Sequence, residues 1–174
     1  MNQFARILDA LNRADVRYVI VGGFAALLHG NNRSTADLDL VIDLSPPESA
    51  KAIAALQSIG MRPRLPVDAS LFADPVQREA WYREKNMLVF TMVDPANPAP
   101  VVDLFVREPI AFHSLLRDAV SVTLQGIQVP VCSIDHLIEM KIQSARPHDL
   151  LDIDNLRLLK SGMNAQIRPN QEKP

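Results

Sequence analysis

Apolar residues recur along the chain with two different periods, and each period marks a different kind of element. Phe4, Ile7, Leu8 and Leu11 stand at i, i+3, i+4 and i+7, which predicts a helix with one buried face. Tyr18–Val21 is a continuous apolar run of strand type. Gly22-Gly23 follows it, then Phe24-Ala25-Ala26-Leu27-Leu28, good helix material that stops at Gly30. Asn31–Ala36 reads as a polar loop into a second strand, Asp37–Asp43. On that strand Leu38, Leu40 and Ile42 share one face, while Asp37 and Asp39 share the other.

The remaining chain keeps alternating between these periods. Ser45-Pro46-Pro47-Glu48 is a cap with first-turn prolines, predicting a helix to Ile59 that Gly60 closes. Met61–Ser70 is broken by prolines and reads as an edge strand and a loop. Asp74-Pro75 starts a helix ending at Lys85. Met87–Val93 and Val101–Val106 are β-rich runs joined by a three-proline loop, Asp94–Pro100, and read as an antiparallel pair. Pro109–Asp118 is expected to be helical. Val120, Val122 and Leu124, then Ile127, Val129 and Val131, alternate around Gln125-Gly126, a second hairpin. Ser133 caps a helix to Arg146, Pro147 breaks it, and His148–Ser161 is another helix. From Gly162 the sequence is polar, and 162–174 is expected to be a disordered tail behind a domain covering 1–161.

This order predicts an α/β (α+β) fold, a mixed β-sheet flanked by helices with further helices at the C-terminal end. With 174 residues, 48% of them hydrophobic, the chain has material for one real core. Eighteen Lys+Arg against 20 Asp+Glu leave a net charge of −2, so overall charge does not point to nucleic acid. No apolar run is long enough to span a membrane, and the first residues lack the apolar stretch of a signal peptide. A single cysteine, Cys132, excludes an internal disulfide and a cysteine-based zinc cluster. It reads as a small buried residue at a strand end, and a reducing cytoplasm fits this usage.

The candidate chemistry begins with Asp37 and Asp39. Two carboxylates on one pleat repel each other unless a cation lies between them. A hard ion such as Mg²⁺, or Mn²⁺, suits oxygen ligands and shares them with substrate phosphates. Gly22-Gly23 at a strand-to-helix junction offers backbone N–H groups to an anion without a side chain in the way. Asp103, inside the apolar strand Val101-Val102-Asp103-Leu104-Phe105, is costly there unless paired or metal-bound. Placed beside Asp37–Asp43, it would complete a three-carboxylate site able to bind metal and deprotonate a hydroxyl.

Gly22-Gly23, Ala25, His29-Gly30, Arg33-x-Thr35 and Asp37-Leu38-Asp39-Leu40 together resemble the signature of DNA polymerase β-like nucleotidyltransferases. Within that superfamily the chain is most similar to small bacterial AbiEii-type toxins and related nucleotidyltransferases. Trp81 with Met87–Phe90, Val102-Asp103-Leu104-Phe105, and Ile138-x-x-Lys141 with Arg146-x-x-Asp149-x-x-Asp152-Ile153 follow in the family's order. The resemblance implies a nucleotidyltransferase fold and transfer of a nucleoside monophosphate from an NTP, with pyrophosphate leaving and Mg²⁺ assisting. It implies Asp37 and Asp39 as the metal-binding pair and Asp103 as the third carboxylate. Many relatives have Gly-Ser where this chain has Gly22-Gly23, so one phosphate-contacting hydroxyl is missing here. The acceptor stays open: relatives use tRNA ends, proteins, antibiotics and small metabolites, and toxin-like members are encoded with an antitoxin-like protein partner.

Other residues carry two readings each. Arg33 suits a phosphate or the carboxylates, and Thr35 suits a phosphate or a loop cap. Lys141 falls on the apolar stripe of its helix, so it either snorkels or faces a phosphate or carboxylate in the cleft. His29 reads as a helix C-terminal residue. His148, Asp149 and Asp152 look metal-like but lie at a helix start, where capping explains aspartate. Trp81 and Tyr82 suit packing better than base stacking. A silent nucleotide- or partner-binding module, and a carboxylate phosphohydrolase, are the competing functions.

Overall fold

The computed structural model describes residues 2–31, 35–144 and 149–167. The first helix, α1 (Gln3–Arg13), is capped by Asn2, whose side chain accepts from the Ala5 amide at 2.9 Å, and it buries Ile7, Leu8 and Leu11. β1 (Tyr18–Val21) follows, then α2 (Gly22–Leu28), β2 (Asp37–Ile42) and α3 (Pro46–Ser58). The Met61–Ser70 stretch becomes a two-residue strand, β3 (Arg62–Pro63), and a 3-10 turn follows at Ala69–Ala73. α4 (Pro75–Lys85) starts where expected, with the Asp74 carboxylate accepting from the Val76 amide at 2.8 Å.

β4 (Val89–Asp94) and β5 (Asn97–Phe105) form the antiparallel pair, and the proline-rich stretch is largely strand rather than loop. Its prolines are tolerated because Pro98, exposed, and Pro100, buried, lie where the β4–β5 register shifts and outside the regular run of pairs from Val102 to Phe105. α5 (Phe112–Arg117) is shorter than Pro109–Asp118 suggested. β6 (Val120–Leu124) and β7 (Ile127–Val131) make the second hairpin, and α6 (Ile134–Ser144) and α7 (Asp149–Ile167) complete the order. α7 passes through Gly162 to Ile167, beyond the Ser161 end that the sequence suggested for this helix. One glycine costs a helix only about 1 kcal/mol, which the good helix formers around it can offset.

The described strands form one mixed sheet in the order β3-β4-β5-β2-β1-β7-β6. β1 is antiparallel to β2 and parallel to β7, and β2 is parallel to β5. Leu38, Leu40 and Ile42 are fully buried, as are Val102 and Leu104 beside them, so the interior of β2 and β5 is apolar. α1 and α3 pack on each other and reach β5, β7 and β2, while α2 packs on β1 and β2 and meets α6. Stacking of Phe4 on Phe24, with ring centroids 4.3 Å apart, links α1 to α2. Arg78 is buried beneath α4 and donates to the carbonyls of Phe72 and Leu44, the latter at 2.6 Å. It fastens the loop before α3 to the 3-10 turn.

Candidate active site

The site is built where β1 ends. Val21 is the register partner of Asp39, so the chain leaves β1 directly beside that carboxylate and must turn into α2 there. Gly22 makes the turn with a φ of +66°, a left-handed conformation that disfavours side chains. A Cβ at Gly22 would lie 2.1 Å from Oδ2 of Asp39. The glycine is thus required first by the approach of a carboxylate, a reason separate from any phosphate. At Gly23 a Cβ would lie 3.1 Å from the Thr35 hydroxyl oxygen and 3.3 Å from Thr35 Cβ. Thr35 itself accepts from the Asp37 amide at 3.3 Å, closing the turn into β2 as the loop-cap reading expects, while it also lines the cleft.

β5 lies on the other side of β2, with Asp103 directly opposite Asp39. Register partners on adjacent strands project from the same face. Asp37, Asp39 and Asp103 therefore share a face, and all three line one cleft of about 770 Å³ with Gly22, Gly23, Thr35 and Lys141. The Asp103 carboxyl is held above the usual carboxylate range by burial. The nearby charge of Asp37 raises it further, whereas a hydrogen bond from Thr91 and the charge of Arg64 pull it down. Thr91, opposite Asp103 on β4, donates to Oδ1 at 2.5 Å. Arg107 also lines the cleft, its guanidinium over the Tyr82 ring, 5.0 Å from the centroid.

Lys141 answers the question its position raised. Its ammonium donates to Asp149 at 3.2 Å and Asp152 at 2.7 Å, with a side chain only 12% exposed. Asp149 and Asp152 are buried at the start of α7, and Asp149 also accepts from the Ser144 hydroxyl. These two aspartates thus do more than cap a helix: they seat the lysine on the cleft wall and dock α7 on α6. The spacing Lys141-x7-Asp149-x2-Asp152 could have shown this, since residues three apart share a helix face. His29 ends α2, its Nε2 2.7 Å from the Cys132 carbonyl, and Cys132 is buried just beyond β7. Burial pushes the Cys132 thiol up to about 12, which leaves it an unreactive packing residue. Trp81 stacks on Phe90 in the core, and Tyr82 faces the cleft. Arg33 and His148 lie outside the described residues.

Among the described residues, no three acidic, histidine or cysteine side chains come close enough to form a metal cage by themselves. That fits a hard cation held by one or two carboxylates and completed by substrate phosphates and water, the usual arrangement for Mg²⁺. Asp37, Asp39 and Asp103 each turn a carboxylate towards this cleft, and carboxylate oxygens are the ligands such an ion prefers. Thr91 and Arg64 were not legible beforehand. The hairpin was, but its three-proline connection hid the register that sets Thr91 against Asp103.

Solved structures share this architecture. The antibiotic-resistance factor ANT(2'')-Ia aligns with a TM-score of 0.57 at 16% identity, over 94% of this chain and 83% of that one. The lincosamide antibiotic adenylyltransferase LnuA aligns with a TM-score of 0.56 at 15% identity, over 90% and 95%. An antigenic nucleotidyltransferase-like protein from Paracoccidioides brasiliensis aligns with a TM-score of 0.54 at 18% identity, over 88% and 73%. At these identities the likeness concerns the fold. No curated protein matches the chain in sequence. The model of one family, described as nucleotidyl transferase AbiEii toxin of the type IV toxin–antitoxin system, matches residues 6–166, a span that takes in all three strand aspartates and the Lys141 cluster. The chain belongs to the AbiEii family and is a nucleotidyltransferase.

Proposed function

We propose that the protein transfers a nucleoside monophosphate from an NTP to an acceptor hydroxyl in a metal-dependent reaction, with Asp37, Asp39 and Asp103 as the acidic residues of the site. The observation that carries this reading is the register: β2 stands between β1 and β5, so three carboxylates from two strands share one face beside Gly22. Asp37 and Asp39 would hold Mg²⁺ or Mn²⁺ on the triphosphate, and Asp103 would help to bind a second ion. The metal supplies neutralisation of phosphate charge when bound. Asp103 takes the proton of the acceptor hydroxyl, whose oxygen bonds to the α-phosphorus. The bond from the α-phosphorus to the bridging oxygen breaks, and its electrons leave with pyrophosphate. Gly22, Gly23, Thr35, Arg33 and Lys141 are the proposed phosphate contacts, with Lys141 steadied by its two aspartates.

The family description supports an antitoxin partner and, with it, a cytoplasmic setting; no helix among the described residues is long and apolar enough to cross a membrane. The acceptor is a tRNA end, a protein or a small molecule. Incubation with each labelled NTP, Mg²⁺, total RNA and a cell lysate tests the proposal, because the material acquiring label names the acceptor. NTP with Mg²⁺ should raise the melting temperature, and Asp39→Asn should remove both that rise and the labelling. Failure of every NTP to bind with Mg²⁺ or Mn²⁺ overturns it. A silent nucleotide-binding module, which the absent hydroxyl at Gly23 favours, would bind NTP tightly and label nothing.

A further inference from the structure

The role proposed for Asp103 makes a demand on its carboxylate that the strand alone does not meet. The group has two equivalent oxygens and turns easily about its last torsion, yet proton abstraction needs one oxygen aimed at the acceptor. Thr91 removes that freedom. It stands opposite Asp103 in the β4–β5 pair, and its hydroxyl donates to Oδ1 at 2.5 Å. A β-branched side chain on a strand has few χ1 states, so the hydroxyl position follows from the backbone register. That register is secured on the far side as well, where the Arg64 amide donates to the Thr91 carbonyl at 2.9 Å.

We infer that Thr91 is a positioning residue of the transfer reaction: it occupies one oxygen of Asp103 and so turns the other into the cleft. The inference rests on the nucleotidyltransferase reading above. Thr91 is not among the residues lining the cleft, so it acts through Asp103 rather than on substrate.

Thr91→Val keeps the shape and the β-branch but loses the donor, Thr91→Ala loses both, and Thr91→Ser keeps the donor. With an NTP, Mg²⁺ and the extract that supports labelling, Thr91→Val and Thr91→Ala should release pyrophosphate about 10- to 100-fold more slowly, the range expected when a reacting group is misaimed. The KM for NTP should stay within about twofold, because the triphosphate contacts lie elsewhere, and Thr91→Ser should restore most of the rate. A second measurement does not depend on turnover. Mn²⁺ titration followed by electron paramagnetic resonance, with a non-hydrolysable NTP analogue present, should show Thr91→Val weakened towards Asp103→Asn and Thr91→Ser like the parent. Parent-like rates and Mn²⁺ binding in Thr91→Val, beside an inactive Asp103→Asn, overturn the inference and leave the proposed reaction standing. A fully active Asp103→Asn overturns the assignment of Asp103 itself.

Discussion

Gly22 and Asp39 occupy what would otherwise be the same space: a methyl group on the glycine would lie 2.1 Å from the carboxylate oxygen of the aspartate. β1 ends with Val21 opposite Asp39, so the two backbones are fixed by strand pairing and only the Asp39 side chain is left to turn. Gly22→Ala adds this collision to a positive φ. It should lower stability by about 1–3 kcal/mol, the usual cost of a strained backbone position. It should also abolish the rise in melting temperature with Mg²⁺ and NTP, because relief comes most readily from turning Asp39 aside. Thermal melts with and without the ligands read both effects.

Gly23 is a milder case. Its missing side chain faces Thr35 at 3.1–3.3 Å, so a serine there fits only if Thr35 gives way by a few tenths of an ångström. Gly23→Ser is therefore expected to destabilise slightly, and Thr35→Ala to relieve it. A double-mutant cycle in urea should show coupling of about 0.5–1 kcal/mol, as for side chains in direct contact.

Asp103 should make the metal-free protein less stable as pH rises. Its carboxyl is held above its ordinary value, by burial first and then by the charge of Asp37. The native state therefore keeps its proton at pH values where the unfolded chain has lost it. With more protons bound in the native state, the slope of stability against pH is negative. The penalty is absent below the unfolded pKa and complete once pH exceeds the folded one. Asp103→Asn removes it, so in EDTA this variant should gain on the parent from acidic to neutral pH while losing transfer activity. Urea denaturation across that range checks the sign.

Lys141 holds two buried aspartates, so Lys141→Met should cost more than a surface lysine would. Breaking a buried ionic cluster costs about 3–5 kcal/mol. The Ser144 hydroxyl still serves Asp149, which places the expected loss at the lower end. Since the cluster docks α7 on α6, limited proteolysis should cut near residue 149 faster in this variant.

Arg78 offers a control away from the cleft. Burial lowers its pKa, yet it stays charged because two carbonyls accept from it. Arg78→Ala leaves those acceptors unpaired and a space behind, at about 2–4 kcal/mol. NTP binding to the folded fraction should not change.

Most of the elements were readable because burial imposes a period, and periods survive in a linear text. The helix at Gln3–Arg13, the strand bearing Asp37 and Asp39, and both hairpins follow from apolar spacing and turn residues. Irregular stretches were not: β5 extends back to Asn97 through prolines, and β3 is only two residues long. There the pairing partner, rather than local preference, decides whether a segment is strand.

By itself the sequence determined which side chains could do chemistry. A carboxylate pair two residues apart on a strand, a glycine pair before a helix and a charged residue in an apolar strand are local facts, and their physical cost is local too. Only the tertiary structure decided how they meet. The placement of β2 between β1 and β5 sets Asp39 against Gly22 on one side and Asp103 on the other, and the β4–β5 register assigns Thr91 to Asp103. Strand order and register depend on contacts between residues far apart in the chain, which no local period records.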